Sequence, residues 1–176
     1  MPWHPNKFRM DSTRLKHWDY SLNGCYYVTI CTKAGKHFFG QVADGQVHLS
    51  TMGRVADQFW HEIPHHFADV ILDRFVIMPN HLHGILSICK NDRANLSSAE
   101  MPNAVSTFGP LKPGSLSVVI GSYKSAVTKW CHQNGYSEFG WQPRFHDHGV
   151  EDEDSLNEIR DYIGNNPKRW EMKRKL

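Results

Sequence analysis

VILDRFVIMPNHLHGILSI, residues 70–88, contains two strand-like runs on either side of Pro79-Asn80. Residues 70–78 and 83–88 are rich in β-branched and aliphatic side chains, which favour strands. Proline followed by asparagine is typical of a short turn. This stretch therefore predicts two antiparallel strands with a short connection between them.

More strands and one helix are predicted on the N-terminal side of this pair. The three strand-like runs there are residues 26–32, 38–42 and 46–49. The turn residues Asp44-Gly45 join the last two runs, which favours a hairpin. From Ser50 or Thr51 apolar residues recur at helical spacing, with a hydroxyl residue to cap the helix and Pro64 to end it.

A polar segment, two helices and a short strand are predicted on the C-terminal side. Residues 90–114 hold three prolines and few apolar side chains, which favours a mobile loop. Residues 115–133 have helical periodicity and residues 141–150 favour a short strand. An acidic cluster at residues 151–154 opens the last helix, and Pro167 is predicted to end it.

The order of these elements predicts the fold class. Strands and helices are mixed and linked by hairpins, without regular repetition of strand, helix and strand. This order favours an α+β fold, in which helices pack on an antiparallel sheet.

Composition predicts a single domain that remains in the cytoplasm. The 176 residues include 20 Lys and Arg against 18 Asp and Glu, and the formal charge is +2. A chain of this length forms one domain that needs neither disulfides nor metal to fold. The polar, basic start lacks the apolar core of a signal peptide, and no apolar run has the ~20 residues of a membrane span. The four cysteines form no CxxC pair, which is typical of thiols in a reducing compartment.

Two histidine motifs have different prospects as metal sites. His61 and His65 belong to an HExxH pattern, but we expect Pro64 to break the helical turn that a zinc protease needs. His81 and His83 are two residues apart on a predicted strand, so both imidazoles point to one face and could chelate one cation. Leu82 then points into the core. With 12 histidines, about one such pair arises by chance, and residues 146–148 hold a second.

Tyr162 is a candidate nucleophile on the last helix. Asn166 follows four residues later and so lies on the same helical face. A hydroxyl and a carboxamide one turn apart could share a site with a metal. The alternative is that Tyr162 is a packing residue at the edge of the buried stripe. Tyr123 is a rival nucleophile, but its register on residues 115–133 places it in the core.

Two segments have a local excess of positive charge. Residues 101–137 contain three lysines and no acid, and the segment from Lys168 holds five basic residues against one acidic residue. Such clusters are typical of contacts with a phosphate backbone, although solvated helix faces have the same composition.

Several motifs in one order resemble the IS200-like transposases, and most closely the REP-associated tyrosine transposases. These motifs are Tyr20-Ser21, Tyr26 to Thr32 (YYVTICT), Phe75 to Gly84 (FVIMPNHLHG), Gly121 to Val127 (GSYKSAV), Trp141-Gln142 and Arg160 to Pro167 (RDYIGNNP). The resemblance runs from about residue 19 to residue 170. It implies a basic arm at residues 1–20, one transposase domain at residues 21–170 with the loop at 90–114, and a basic tail at residues 171–176.

The resemblance also implies a fold and an active site. The fold would be ferredoxin-like (RRM-like), and the protein would be a single-tyrosine HUH nuclease. His81 and His83 would bind Mg²⁺ or Mn²⁺, Asn166 would complete or support the metal site, and Tyr162 would be the nucleophile. Attack on DNA would give a 5′-phosphotyrosine and a free 3′-OH, which a second 3′-OH could reverse to join strands.

The substrate implied is single-stranded DNA with a palindromic hairpin, and the place of action is the nucleoid. The basic candidates for DNA contacts are Lys124, Lys129, Arg144, Lys168 and Arg169. Where relatives have an aliphatic pair and an arginine, this chain has His148-Gly149-Val150-Glu151, so a phosphate contact there is lost or moved.

Two questions stay open at this point. The protein is either an active nickase and strand transferase or a domesticated hairpin-DNA-binding protein with little or no catalysis. Insertion-sequence relatives act as homodimers with a helix supplied in trans, whereas REP-associated relatives act as monomers.

Overall fold

The structure is a computed structural model, which describes residues 23–90 and 114–174. The predicted basic arm, nearly all of the predicted loop at 90–114 and the end of the predicted tail lie outside the described residues. No helix in the described ranges is long and apolar enough to cross a membrane.

Six strands and three helices form the described part of the chain. In order they are β1 (Gly24–Cys31), β2 (Gly40–Ala43), β3 (Gln46–Leu49), α1 (Thr51–His66), β4 (Val70–Met78), β5 (His81–Ile88), α2 (Leu116–Gln133), β6 (His146–Val150) and α3 (Glu153–Arg174). A short 3₁₀ turn, Lys33–Gly35, follows β1.

The main sheet confirms the predicted ferredoxin-like fold. Its strand order is β4-β5-β1-β6, and all three neighbouring pairs are antiparallel. Together with α1 and α2, these strands follow the β-α-β-β-α-β pattern. The strand pair predicted from residues 70–88 is present as β4 and β5, and β2 and β3 form the predicted hairpin.

The two faces of the sheet have different roles. On β1, Tyr26, Val28 and Ile30 are completely buried in the core that includes Trp60 of α1 and Tyr123 of α2. Because side chains on a strand alternate, the residues between them point to the opposite face. α1 and α2 therefore cover one face, and the other face is left for α3 and the candidate site.

Both helix ends that were predicted at prolines are wrong. α1 continues through Pro64 to His66, and α3 continues through Pro167 to Arg174. A helical bond from the backbone N–H of Phe67 to the carbonyl of Ile63 is kept beyond Pro64, at 2.9 Å. Proline removes one N–H from a helix, but tertiary contacts can offset that loss.

Three further boundaries differ from the prediction. β5 begins at His81 rather than at residue 83, and β6 covers only the second half of the predicted strand at 141–150. Trp141 instead forms an isolated bridge with Thr32. Residues 171–174, predicted as part of a tail, belong to α3.

We expect Gly84→Ala to destabilise the fold, because a Cβ at Gly84 would lie 2.5 Å from Cζ2 of the completely buried Trp60. Overpacking of this kind costs about 1–3 kcal/mol, measurable as the free energy of unfolding in urea. Gly121→Ala is the control, because its Cβ would meet no described atom within 4 Å. That helical substitution should stabilise by roughly 0.5–1 kcal/mol, and equal effects at both sites would contradict the packing described.

Candidate active site

The two histidines of β5 lie side by side on the face opposite the core. His81 is paired with Cys31 and His83 with Thr29, and the two imidazole centroids are 4.5 Å apart. Leu82, between them, is completely buried, as the sequence predicts. The alternation of one strand therefore places both rings on one surface.

Hydrogen bonds hold both histidines through their Nδ1 atoms. The Nδ1 of His81 lies 2.7 Å from Oδ1 of Asn80, whose Nδ2 donates to the carbonyl of Gly35. Since that second bond fixes the amide orientation, Oδ1 is an acceptor and His81 carries its proton on Nδ1. The Nδ1 of His83 lies 2.7 Å from the hydroxyl of Tyr27 and 2.8 Å from that of Thr29.

Burial keeps both imidazoles neutral. Desolvation, with a smaller contribution from His37, lowers the pKa of His81 to about 4. Desolvation, followed by the neighbouring His81, holds the pKa of His83 well below its usual value. Burial also raises the pKa of the Tyr27 phenol. At neutral pH, therefore, both rings have the lone pair that a metal ligand needs, and Tyr27 keeps its proton.

α3 crosses this histidine pair. The ring of Tyr162 lies 5.4 Å from that of His83, and the ring of Trp170 lies 5.6 Å from that of His81. Asn166 is only 6% exposed and lies one helical turn from each of these two aromatic residues. Because residues four apart share a helical face, Asn166 also faces the histidines.

The ring of Tyr162 has two further neighbours. The guanidinium carbon of Arg169 lies 5.5 Å from its centroid, within the range of a cation–π interaction. The ring of Tyr27 meets it edge-on at 6.5 Å. A permanent positive charge is thus placed beside the candidate nucleophile.

An ion-pair clamp joins the start of α3 to β4. Arg160 donates from Nε to both carboxylate oxygens of Asp73 at 3.1 Å, and from Nη1 to Glu153 at 3.0 Å. The pairing of β4 with β5 is irregular between Leu72 and Phe75, the part of β4 that holds Asp73. Asp73 contacts α3 at Arg160, which lies two residues before Tyr162.

A second contact holds the C-terminal half of α3 against the β2–β3 hairpin. The backbone N–H of Gly45, at the hairpin turn, donates to Oε2 of Glu171 at 2.7 Å. Tyr162 and Asn166 lie between this contact and the Arg160 clamp. The Arg160 clamp and the Glu171 contact therefore hold α3 on either side of the segment that carries Tyr162 and Asn166.

The five basic candidates for DNA contacts are not brought together. The guanidinium of Arg169 lies over the ring of Tyr162, whereas Lys168 is exposed beside Gly45. Lys124 donates to the carbonyls of Gln142 and Arg144 at 2.9 and 2.8 Å, so its ammonium holds the segment before β6. Lys129 is exposed on α2, which packs on the opposite face, and Arg144 is exposed in a left-handed conformation with φ 68°.

The structure adds four residues that the sequence analysis missed. Tyr27 and Thr29 alternate along β1 as the histidines do along β5, and Asn80 directly precedes His81. Trp170 lies eight residues after Tyr162, which is a helical repeat. These spacings were visible in the sequence, but only the pairing of β1 with β5 shows which strand the histidines contact.

The structure also shows where Tyr123 lies and bears on the HExxH motif. Tyr123 is 3% exposed and its hydroxyl donates to the carbonyl of Ala56 at 3.0 Å, which confirms it as a core residue. The reason given for excluding a zinc site at His61 and His65 was wrong, since the helix does not end at Pro64. Within residues 23–90 and 114–174, however, no three His, Cys, Asp or Glu side chains are grouped to hold a metal.

One curated relative matches the chain along most of its length. Over 163 residues the chain is 37% identical to an uncharacterized protein of Haemophilus influenzae Rd, and the alignment covers 92% of this chain and 89% of the relative. No protein-family model matches.

Two solved structures align with most of the chain. A REP-associated tyrosine transposase bound to a REP hairpin aligns with TM-score 0.57 at 16% identity, over 88% of this chain and 73% of that chain. A Deinococcus radiodurans protein with a provisional transposase assignment aligns with TM-score 0.46 at 13% identity, over 89% and 97%. At these identities the first likeness shows the fold, and the second is too distant to support an argument.

We expect Asp73→Asn to lower stability in a pH-dependent way. Hydrogen bonds from Arg160 lower the pKa of Asp73, so its stabilising contribution is complete above the unfolded value of about 3.9. The contribution is lost as pH falls through the lowered folded value. In urea unfolding, the free energy of unfolding should be higher for wild type than for the variant at about pH 7. This difference in free energy should shrink towards about pH 3.

Glu158→Gln is the matched control for this experiment, because it removes an exposed carboxylate from α3, the helix that carries Arg160. The free energy of unfolding of Glu158→Gln should match that of wild type across the same pH range. A difference between wild type and Asp73→Asn that stays constant with pH would show that the ion pair does not stabilise α3.

Proposed function

We propose that this chain is a metal-dependent nickase and strand transferase of single-stranded hairpin DNA. The chain belongs to one family with the Haemophilus influenzae protein and shares the fold of the REP-associated tyrosine transposase. The observation that carries the proposal is that α3 crosses the histidine pair. There the ring centroid of Tyr162 lies 5.4 Å from that of His83. A packing role alone would not require two neutral imidazoles with Nδ1 held and a buried carboxamide at the same place.

The side chains present fit a divalent cation. His81 and His83 form their hydrogen bonds through Nδ1, which leaves their Nε2 atoms for a metal, and partners on Nδ1 are typical of metal-binding histidines. The Asn166 oxygen would complete or support the set. Imidazole ligands favour Mn²⁺ over Mg²⁺. When bound, the cation would polarise and orient the scissile phosphate.

The chain's own residues would perform the transfer. The hydroxyl oxygen of Tyr162 attacks phosphorus, the bond to the 3′-oxygen breaks, and the departing 3′-oxygen takes up a proton as the phenol loses one. The product is a 5′-phosphotyrosine, and since one phosphodiester replaces another, a second 3′-OH can reverse the step. Arg169 places positive charge beside the phosphate that Tyr162 would carry.

The described contacts also bear on the assembly. Tyr162, His81 and His83 meet within one chain, so no second subunit is needed to complete the site. This supports a monomer that acts in cis rather than a homodimer that exchanges helices.

The test is incubation of the purified protein with end-labelled hairpin oligonucleotides and Mn²⁺, with products resolved on a denaturing gel. Wild type should give the downstream DNA fragment linked to the protein through its 5′ phosphate, and Tyr162→Phe should abolish this product because the nucleophilic oxygen is removed. Tyr123→Phe is the matched control, since it removes a hydroxyl that is buried in the core. The Tyr123→Phe variant should still cleave the hairpin oligonucleotide.

The outcome separates the two functions left open by the sequence. Cleavage that persists in Tyr162→Phe would rule out this nucleophile. Tight hairpin binding by wild type without cleavage, in Mn²⁺ or Mg²⁺, would favour the domesticated DNA-binding protein.

A second prediction concerns the hydrogen bonds behind the metal site. Thr29→Val keeps the shape of the side chain but removes a hydroxyl that lies 2.8 Å from Nδ1 of His83. Loss of such a partner typically weakens metal affinity about 10–100-fold. Titration with Mn²⁺, followed by the EPR signal of the free ion, should show this loss. Thr128→Val is the control, because the Thr128 hydroxyl donates to a carbonyl within α2.

A further inference from the structure

We propose that His146 and His148 form a phosphate-binding subsite, which holds the DNA strand beside the nucleophile. The inference rests on the proposed function and extends it to the path of the substrate. It also assigns a role to the second His-X-His pair of the sequence, which the active site itself does not use.

Strand register places this pair on the active-site face. In the pairing of β6 with β1, His146 is opposite Thr29 and His148 is opposite Tyr27. Residues directly opposite each other share a face of a sheet. Asp147 and Gly149 are buried, whereas His146 and His148 are exposed, so the alternation along β6 agrees with this assignment.

The subsite is continuous with the histidine pair of β5. Thr29 and Tyr27 stand between the two His-X-His pairs, and their hydroxyls contact Nδ1 of His83. Two strand spacings separate β6 from β5, roughly 10 Å. A stacked DNA strand covers that distance in about three nucleotides, at ~3.4 Å for each.

Within residues 23–90 and 114–174, the two contacts that hold α3 on this face run to β4 and to the β2–β3 hairpin rather than to β6. α3 is fixed against β4 by the Asp73–Arg160 clamp and against the hairpin by the Gly45–Glu171 bond. β6 is the opposite edge of the sheet. Lys124 anchors the backbone just before β6 through two carbonyls, which holds this edge strand in position.

The chemistry of the pair favours a phosphodiester over a second metal ion. Among the described residues no group of three His, Cys, Asp or Glu could hold a cation, either at β6 or at His81 and His83. The proposed metal site relies instead on Asn166, which is buried on α3 across the β5 pair. Exposed imidazole N–H groups are hydrogen-bond donors, and phosphate oxygens are acceptors.

The test compares the double variant His146→Ala/His148→Ala with wild type on two labelled DNA probes. One is a hairpin with a single-stranded extension of several nucleotides on each side, and the other is the same hairpin without extensions. Affinity is measured by fluorescence anisotropy, and cleavage by single-turnover kinetics at saturating DNA. The matched control is His65→Ala/His66→Ala, an exposed pair on α1.

We expect the double variant to bind the extended hairpin about tenfold more weakly, with unchanged affinity for the short hairpin and an unchanged saturating rate. His146→Gln/His148→Gln keeps N–H donors and should recover part of the affinity. The control pair should match wild type throughout, and thermal unfolding should show that all variants fold.

Three results would overturn the subsite. These are wild-type affinity of the double variant for the extended hairpin, an equal loss on both probes, or a fall in the saturating rate without a change in affinity. If wild type neither binds nor cleaves either hairpin, the proposed function fails and the subsite with it. If wild type cleaves and only the variant effect is missing, the subsite alone is wrong.

Discussion

The pairing of β1 with β5 is the constraint on which the site depends. It sets His83 opposite Thr29, so that the hydroxyls of Thr29 and Tyr27 reach Nδ1 of His83. A shift of one residue would turn every side chain of β5 to the other face, which would bury the histidines and expose Leu82. The buried alternate residues of both strands resist that shift, because their burial supplies the main driving force for folding. The core thus fixes the geometry of the candidate metal ligands.

The candidate nucleophile depends on a second level of structure. α3 is a separate element, and its place over the histidines is set by the Arg160 clamp before Tyr162 and the Glu171 contact after Asn166. Ion pairs that are about 30% exposed contribute modestly to stability. Their importance here is positional, since they join the helix of Tyr162 to the strand next to that of His83.

Local sequence signals predicted most elements and failed where tertiary contacts opposed them. Ser50 accepts a hydrogen bond from the backbone N–H of Gly53 and caps α1, as its hydroxyl predicts. Pro167 should have ended α3, but the helix beyond it packs Trp170 on His81 and bonds Glu171 to Gly45. Such contacts involve residues more than 80 positions away in the chain, so no local rule could include them.

The strand alternation that places His81 and His83 on one face can be predicted from the sequence alone, and so can the helical spacing that places Tyr162 with Asn166. Both follow from the repeat of a single element, which a short stretch of sequence contains. By contrast, tertiary packing brings these two faces together and places Tyr27, Thr29 and Trp170 beside the candidate site. It also placed Lys124 at the edge of the sheet and Lys129 on the opposite side. These facts depend on strand order and helix packing, which are set by the summed burial of the whole core rather than by any one segment.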